Sequence, residues 1–256
     1  MTDELKVGVS EGLCELRFDR PARKNAITTA MYAALADGLE QAAADAQVRV
    51  ALLCGSDTAF TAGNDLGDFL NTPPEGGEAP VHRFLRTLST FPKPLVAAVC
   101  GPAVGVGTTM LLHCDLVYAG DNARFSLPFV NLGLCPEAAS SLLLPAIAGY
   151  QRAAEKLLLG EPFDADEARG LGFVNRVLPA AEVEGHARAQ AAKLVALPLS
   201  SLVATKGLMK QARGSSVAEA MQRESESFGR MVREPAAREA FSAFLEKRKP
   251  DFSKLA

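Results

Sequence analysis

The strongest constraint in this chain is LVAAVC at residues 95–100, an uncharged apolar run that stops at the glycine-rich GPAVGVG of residues 101–107. A run this short, bounded by Gly, predicts a strand, and the apolar sequence at residues 108–113 predicts a helix after the turn. The same order occurs earlier. VRVALLC at residues 48–54 ends at Gly55 and leads through FTAGNDL at residues 60–66 into helical sequence. Strand, turn and helix in repeated succession predict an α/β protein.

The rest of the chain fits that class. Cys14, Leu16 and Phe18 alternate with Glu15 and Arg17, which predicts a half-buried strand at residues 13–18 after a first strand at residues 5–9. Thr28 is placed to cap a helix running to about residue 46, with Met31, Leu35 and Leu39 on its apolar side. Residues 72–80 (TPPEGGEAP) predict a mobile loop, residues 80–90 a helix, and residues 116–119 and 123–126 two short strands. From about residue 151 the pattern becomes helical, interrupted by a brief strand in FVNRVL at residues 173–178. Helices are expected at residues 182–197, 199–211, 217–232 and 235–247. The expectation is therefore an α-helical end-piece.

Composition excludes several partners. With 256 residues and 48% hydrophobic content, the chain is large enough to bury a core without disulfides or structural metal. Its 27 basic and 30 acidic residues give a net charge of -3, which argues against nucleic-acid and anionic-membrane partners. The five cysteines form no CxxC pair, and His113, Cys114 and Asp115 are consecutive, so on a helix they diverge; no metal site is expected. The start lacks a signal-peptide pattern, and the Ser-Lys-Leu at residues 253–255 is followed by Ala256, so a cytoplasmic location is expected.

The turn at Gly101, Gly105 and Gly107 lacks the Rossmann spacing and the P-loop lysine. What it offers is close backbone approach and free N–H groups at a helix start, a generic oxyanion site. Taken with FTAGNDL, the leading RPARKNAIT at residues 20–28 and NLGLCPEAAS at residues 131–140, it resembles the crotonase superfamily, the enoyl-CoA hydratase/isomerase family. The resemblance covers most of the chain. It implies a spiral of ββα units over residues 1–195 that carries the acyl-CoA site, and a C-terminal α-helical region, residues 196–256, that packs against neighbouring subunits in trimers or hexamers. It also implies an acyl-CoA thioester substrate, with coenzyme A as part of that substrate and no separate cofactor.

Carried over residue by residue, the resemblance implies backbone donors at Ala62 and Val106 that hold the thioester oxygen. Gly63, Asn64, Asp65, Leu66 and Gly105 would line the substrate site, with Arg23 and Lys24 near the CoA phosphates. The basic residues Lys247, Arg248, Lys249 and Lys254 are further candidates for a phosphate contact. The two glutamates of the family's hydratases fall on Thr109 and Phe129, neither of which can act as a base. Glu137 instead resembles the single catalytic glutamate of the 3,2-enoyl-CoA isomerases, and FTAGNDL with Asn64 looks most like their peroxisomal type. The expected activity is double-bond isomerisation; another acyl-CoA reaction, hydratase-like or hydrolytic, and a non-catalytic acyl-CoA binder are the alternatives. His82, His113 and His186 lack Ser and Asp partners, His113 reads as a packed helix residue, and the Arg/Glu run at residues 223–233 reads as a solvated or intersubunit face.

Overall fold

The computed structural model describes residues 2–71 and 79–255. The expected loop at residues 72–80 falls almost entirely outside the described residues. The chain opens with β1 (Leu5–Ser10), β2 (Leu13–Phe18), α1 (Thr29–Ala44), β3 (Val50–Cys54), α2 (Leu66–Asn71), α3 (Pro80–Thr90), β4 (Leu95–Val99) and β5 (Pro102–Val104). The middle holds α4 (Val106–Thr109), β6 (Leu116–Gly120), β7 (Arg124–Ser126), α5 (Ser140–Ala148), α6 (Tyr150–Leu159), β8 (Phe163–Asp164), α7 (Ala165–Leu171) and β9 (Arg176–Leu178). Four helices close the chain: α8 (Ala180–Val195), α9 (Leu199–Gln211), α10 (Gly214–Met231) and α11 (Pro235–Leu245). The mixed α/β class is as expected.

The main sheet has the order β1-β2-β3-β4-β6-β9, antiparallel at β1/β2 and parallel thereafter, while β5, β7 and β8 form a smaller sheet. The two sheets explain each other. After β3 the chain places Thr61 beside Ala103 of β5; after β4 it forms β5; after β6 it forms β7, which pairs with β5. Each turn of chain thus adds one strand to the large sheet and one segment to the small one, which is the spiral of ββα units.

The apolar runs are explained by burial on both sides. Ala51 and Leu53 of β3, with Leu95, Ala97 and Val99 of β4, face the core shared with Met31, Leu35 and Leu39 of α1 and Phe84 and Leu88 of α3. Val50, Leu52 and Cys54, with Val96 and Ala98, face Val183, Ala187 and Ala191 of α8. A parallel strand covered on both faces has no polar side to show, so its alternation disappears from the sequence. Thr28 caps α1 as expected, its hydroxyl accepting from the Met31 amide at 3.3 Å.

Several boundaries differ. The expected helix at residues 108–113 starts earlier, at Val106, and changes to a 3-10 turn at Met110–His113. The strand expected over residues 173–178 keeps only Arg176–Leu178. No single helix among the described residues is long and apolar enough to cross a membrane.

Candidate active site

The two glycine turns lie against each other. Thr61 N–H donates to the Pro102 carbonyl at 2.9 Å and Val104 N–H returns to the Thr61 carbonyl at 3.1 Å. The approach is so close that a β-carbon on Gly63 would stand 2.6 Å from the Val104 carbonyl oxygen, and one on Gly107 would stand 2.6 Å from the Thr61 methyl. These glycines serve contact between the turns themselves. Gly105 is different: nothing crowds it, but its φ of 54° and ψ of -116° suit a residue without a β-carbon.

The segment at residues 20–28 braces the first turn. Asn25, 1% exposed with φ 58°, donates from Nδ2 to the Ala59 and Phe60 carbonyls at 2.9 and 3.0 Å, while its Oδ1 accepts from the Arg20 amide at 2.8 Å. Arg20 pairs with Asp65 at 2.6 Å, and Asp65 also accepts from the Asp68 amide at 3.1 Å. The Arg20 guanidinium and the backbone amides together hold the Asp65 carboxyl below its ordinary value against the opposing effect of burial. Asp65 borders the site, but its carboxylate is engaged in bracing the turn.

The backbone hydrogen bonds remove Ala62 from the expected pair of donors. Ala62 N–H donates to the Lys24 carbonyl at 2.9 Å, so it is not available for a substrate oxygen. Ile27 N–H takes the Gly63 carbonyl at 2.7 Å and Asp65 N–H takes the Ile27 carbonyl at 2.9 Å, which leaves the Asn64 amide between them without a backbone partner. In the second turn Gly105 N–H binds the Ser126 carbonyl at 2.9 Å, and Thr108 and Thr109 return to the Gly105 carbonyl at 2.8 and 3.0 Å. The Val106 amide, first in α4, has no backbone acceptor. Among the described residues of the two turns, the amides of Asn64 and Val106 are therefore open donors that border one cavity.

Both residues line a cavity of about 650 Å³ together with Arg23, Gly63, Leu66, Gly105 and Phe129. Lys24 is not on its wall. Phe228 of α10 and Phe241, Phe244 and Leu245 of α11 close its other side, so the C-terminal helices complete the site. A second cavity of about 690 Å³ lies between α3 and α10, and Asn64, Glu137 and Phe228 border both. Glu137 thus stands where the two spaces meet. Its Oε1 accepts a short hydrogen bond from Thr109 Oγ1. Burial pushes its pKa up to about 8, the nearby Glu224 adds to the rise, and the Thr109 hydroxyl partly opposes it. Tyr32, buried in α1, donates to Asn64 Oδ1, and burial together with Glu137 raises its pKa.

Glu137 is aimed by an unusual turn. Ala138 and Ala139 are both left-handed at φ 57°, a conformation that costs about 1–2 kcal/mol per non-glycine residue. Glu224, 7% exposed, holds it: Ala139 N–H and Ser141 N–H donate to its two carboxylate oxygens at 2.6 and 3.0 Å, and Ser141 Oγ donates as well. Bonds to an ionised group contribute about 1.5–3 kcal/mol each, enough to offset the strain. His113 supports the same turn, its Nε2 lying 2.8 Å from the Ala138 carbonyl, and burial lowers its pKa to about 4, leaving it neutral. A carbonyl can only accept, so the proton sits on Nε2. The packed histidine was legible; Glu224 was not, since the run at residues 223–233 reads as a solvated face. Yet Glu224 sits in register with Val217, Ala220, Met221 and Phe228 on one side of α10, an acid on an apolar stripe.

A family model described as enoyl-CoA hydratase/isomerase matches residues 8–254. The chain belongs to that family. As a member of the enoyl-CoA hydratase/isomerase family, it is 37% identical over 206 residues to enoyl-CoA delta isomerase 2 of Rattus norvegicus, covering 78% of this chain and 52% of that protein. It spans about half the length of that isomerase. It is also 33% identical to the 2,3-dehydroadipyl-CoA hydratase of Escherichia coli K12, covering 97% of this chain and 98% of that one. Among solved structures, Pseudomonas aeruginosa OdaA superposes with a TM-score of 0.93 at 47% identity, covering 95% of this chain and 99% of that chain. The enoyl-CoA hydratase/isomerase family thus joins relatives named for both reactions.

Proposed function

We propose that this protein isomerises 3-enoyl-CoA to 2-enoyl-CoA, with Glu137 as the single acid/base. The observation that carries the reading is Glu137 at the junction of two cavities, its pKa pushed up to about 8, beside two open backbone donors. The thioester oxygen accepts from the amides of Asn64 and Val106. The Glu137 carboxylate takes a proton from carbon 2, and the C–H electron pair becomes the double bond of a dienolate whose charge rests on that oxygen. Each such donor lowers the barrier by about 3 kcal/mol. Protonated Glu137 then returns the proton to carbon 4, and the double bond stands between carbons 2 and 3.

Hydration in the hydratases this chain resembles uses two carboxylates to activate water, and Glu137 is only one. Thr109 and Phe129 supply none, and both oxygens of Glu224 are occupied by donors of the turn it holds. That distribution favours isomerisation over the hydratase alternative. CoA lies along the first cavity with Arg23 at its wall, and the acyl chain enters the second. Exposed Leu208 and Met209 of α9, 70% and 67% accessible, support burial against further copies of the chain in a trimer or hexamer.

The test is to incubate the protein with 3-enoyl-CoA and, separately, with 2-enoyl-CoA, and to repeat both with Glu137→Gln. Double-bond migration without 3-hydroxyacyl-CoA is expected. Rapid hydration of 2-enoyl-CoA by the wild type would overturn the isomerase reading.

A further inference from the structure

We infer that Glu224, from the C-terminal helix α10, is a positioning residue that sets the direction and basicity of Glu137. The inference rests on Glu137 being the acid/base. Glu224 is separated from it by 87 positions of sequence, yet the Glu224 carboxylate takes the amides of Ala139 and Ser141 at 2.6 and 3.0 Å, the first two and four residues beyond Glu137. It stands where a capping side chain would stand at the start of α5, because the residue at that position, Ala139, has none to offer. The turn it holds carries two left-handed alanines in succession. Ser140 completes the arrangement by binding the Glu137 carbonyl through both its amide, at 3.0 Å, and its hydroxyl, at 2.6 Å.

The arrangement couples α10 to the reacting carboxyl in two ways. Removing the acceptor frees the Ala138–Ala139 turn to relax toward ordinary backbone angles, which swings Glu137 away from the junction of the cavities. Removing the charge also removes a negative neighbour that opposes ionisation of Glu137. Other ionisable groups border the space between α3 and α10: Tyr32 from α1, His82 and Arg86 from α3, and Glu226 from α10, with the exposed Arg223 next to Glu224. None of them is itself substituted when Glu224 alone is changed.

Glu224→Gln is the sharpest variant, because its amide nitrogen would meet an N–H where a carboxylate oxygen now accepts. Ser141→Ala is the milder second variant, since it deletes one donor and keeps both backbone contacts. The assay is kcat, KM and the pH profile of kcat/KM on 3-enoyl-CoA, with thermal unfolding measured alongside. For Glu224→Gln, kcat falls by about 10- to 100-fold, the scale of a misplaced reacting group, while KM changes less than about threefold, and the pH midpoint moves down. Ser141→Ala gives a smaller loss of kcat in the same direction. Folded variants with wild-type kcat and pH midpoint overturn the inference, and so does a loss confined to stability or KM. Should Glu224→Gln fail to fold, Ser141→Ala decides by the same criteria. Glu137→Gln in the same series separates the two ideas: full turnover in that variant defeats the acid/base reading itself, whereas its inactivity beside normal Glu224 variants defeats only the positioning role.

Discussion

Replacing Glu137 by Gln should make the protein more stable, by an amount that grows with pH. Gln keeps the oxygen that accepts from Thr109 and removes the ionisation that the water-poor junction opposes. In the folded chain the Glu137 pKa stands at about 8, against 4.5 for an ordinary glutamate. The sign follows from protons bound: below pH 4.5 both states hold the proton, between 4.5 and 8 the unfolded chain has lost it while the folded chain keeps it, so unfolding is increasingly favoured as pH rises. The wild type therefore loses about 1.4 kcal/mol per pH unit through this residue, as much as about 3 kcal/mol by pH 7 and about 5 kcal/mol above pH 8. Urea unfolding of wild type and Glu137→Gln at pH 5, 7 and 8.5 reads the effect as the difference between the two chains. The two should differ by less than about 1 kcal/mol at pH 5 and diverge steadily above it. A difference in unfolding free energy that stays constant across the three pH values would refute the reasoning. The instability is the counterpart of a usable base near neutral pH.

Two further outcomes follow from the same geometry. Thr109→Val removes the hydroxyl that favours ionised Glu137, so the midpoint of the pH profile of kcat/KM should move upward, as measured by initial rates across pH 6 to 10. Gly63→Ala forces a methyl to within 2.6 Å of the Val104 carbonyl oxygen at a backbone φ of 82°, and should lower stability by at least about 2 kcal/mol, measured by thermal unfolding.

Much of the fold was legible because burial leaves a plain mark on a short strand. The uncharged runs ending at Cys54 and Cys100 are strands enclosed between α1 or α3 and α8, and no alternation survives such enclosure. Of the small sheet only β7 was legible, as the strand expected at residues 123–126; β5 and β8 are two or three residues long and exist through pairing with it. Glu137 was found through resemblance. The donor beside it was misplaced because the availability of an amide depends on long-range register: Lys24 claims Ala62, and Ile27 skips Asn64. Glu224 escaped for a related reason, as its role depends on a contact across 87 positions, although its place on the apolar stripe of α10 marked it as buried.

The central claim is that one carboxylate moves the proton. Its most direct test is the turnover number of Glu137→Gln on 3-enoyl-CoA, measured at a pH where the variant is shown to be folded. A fall of at least about 100-fold is expected for the loss of a general acid/base. Turnover close to that of the wild type would contradict it.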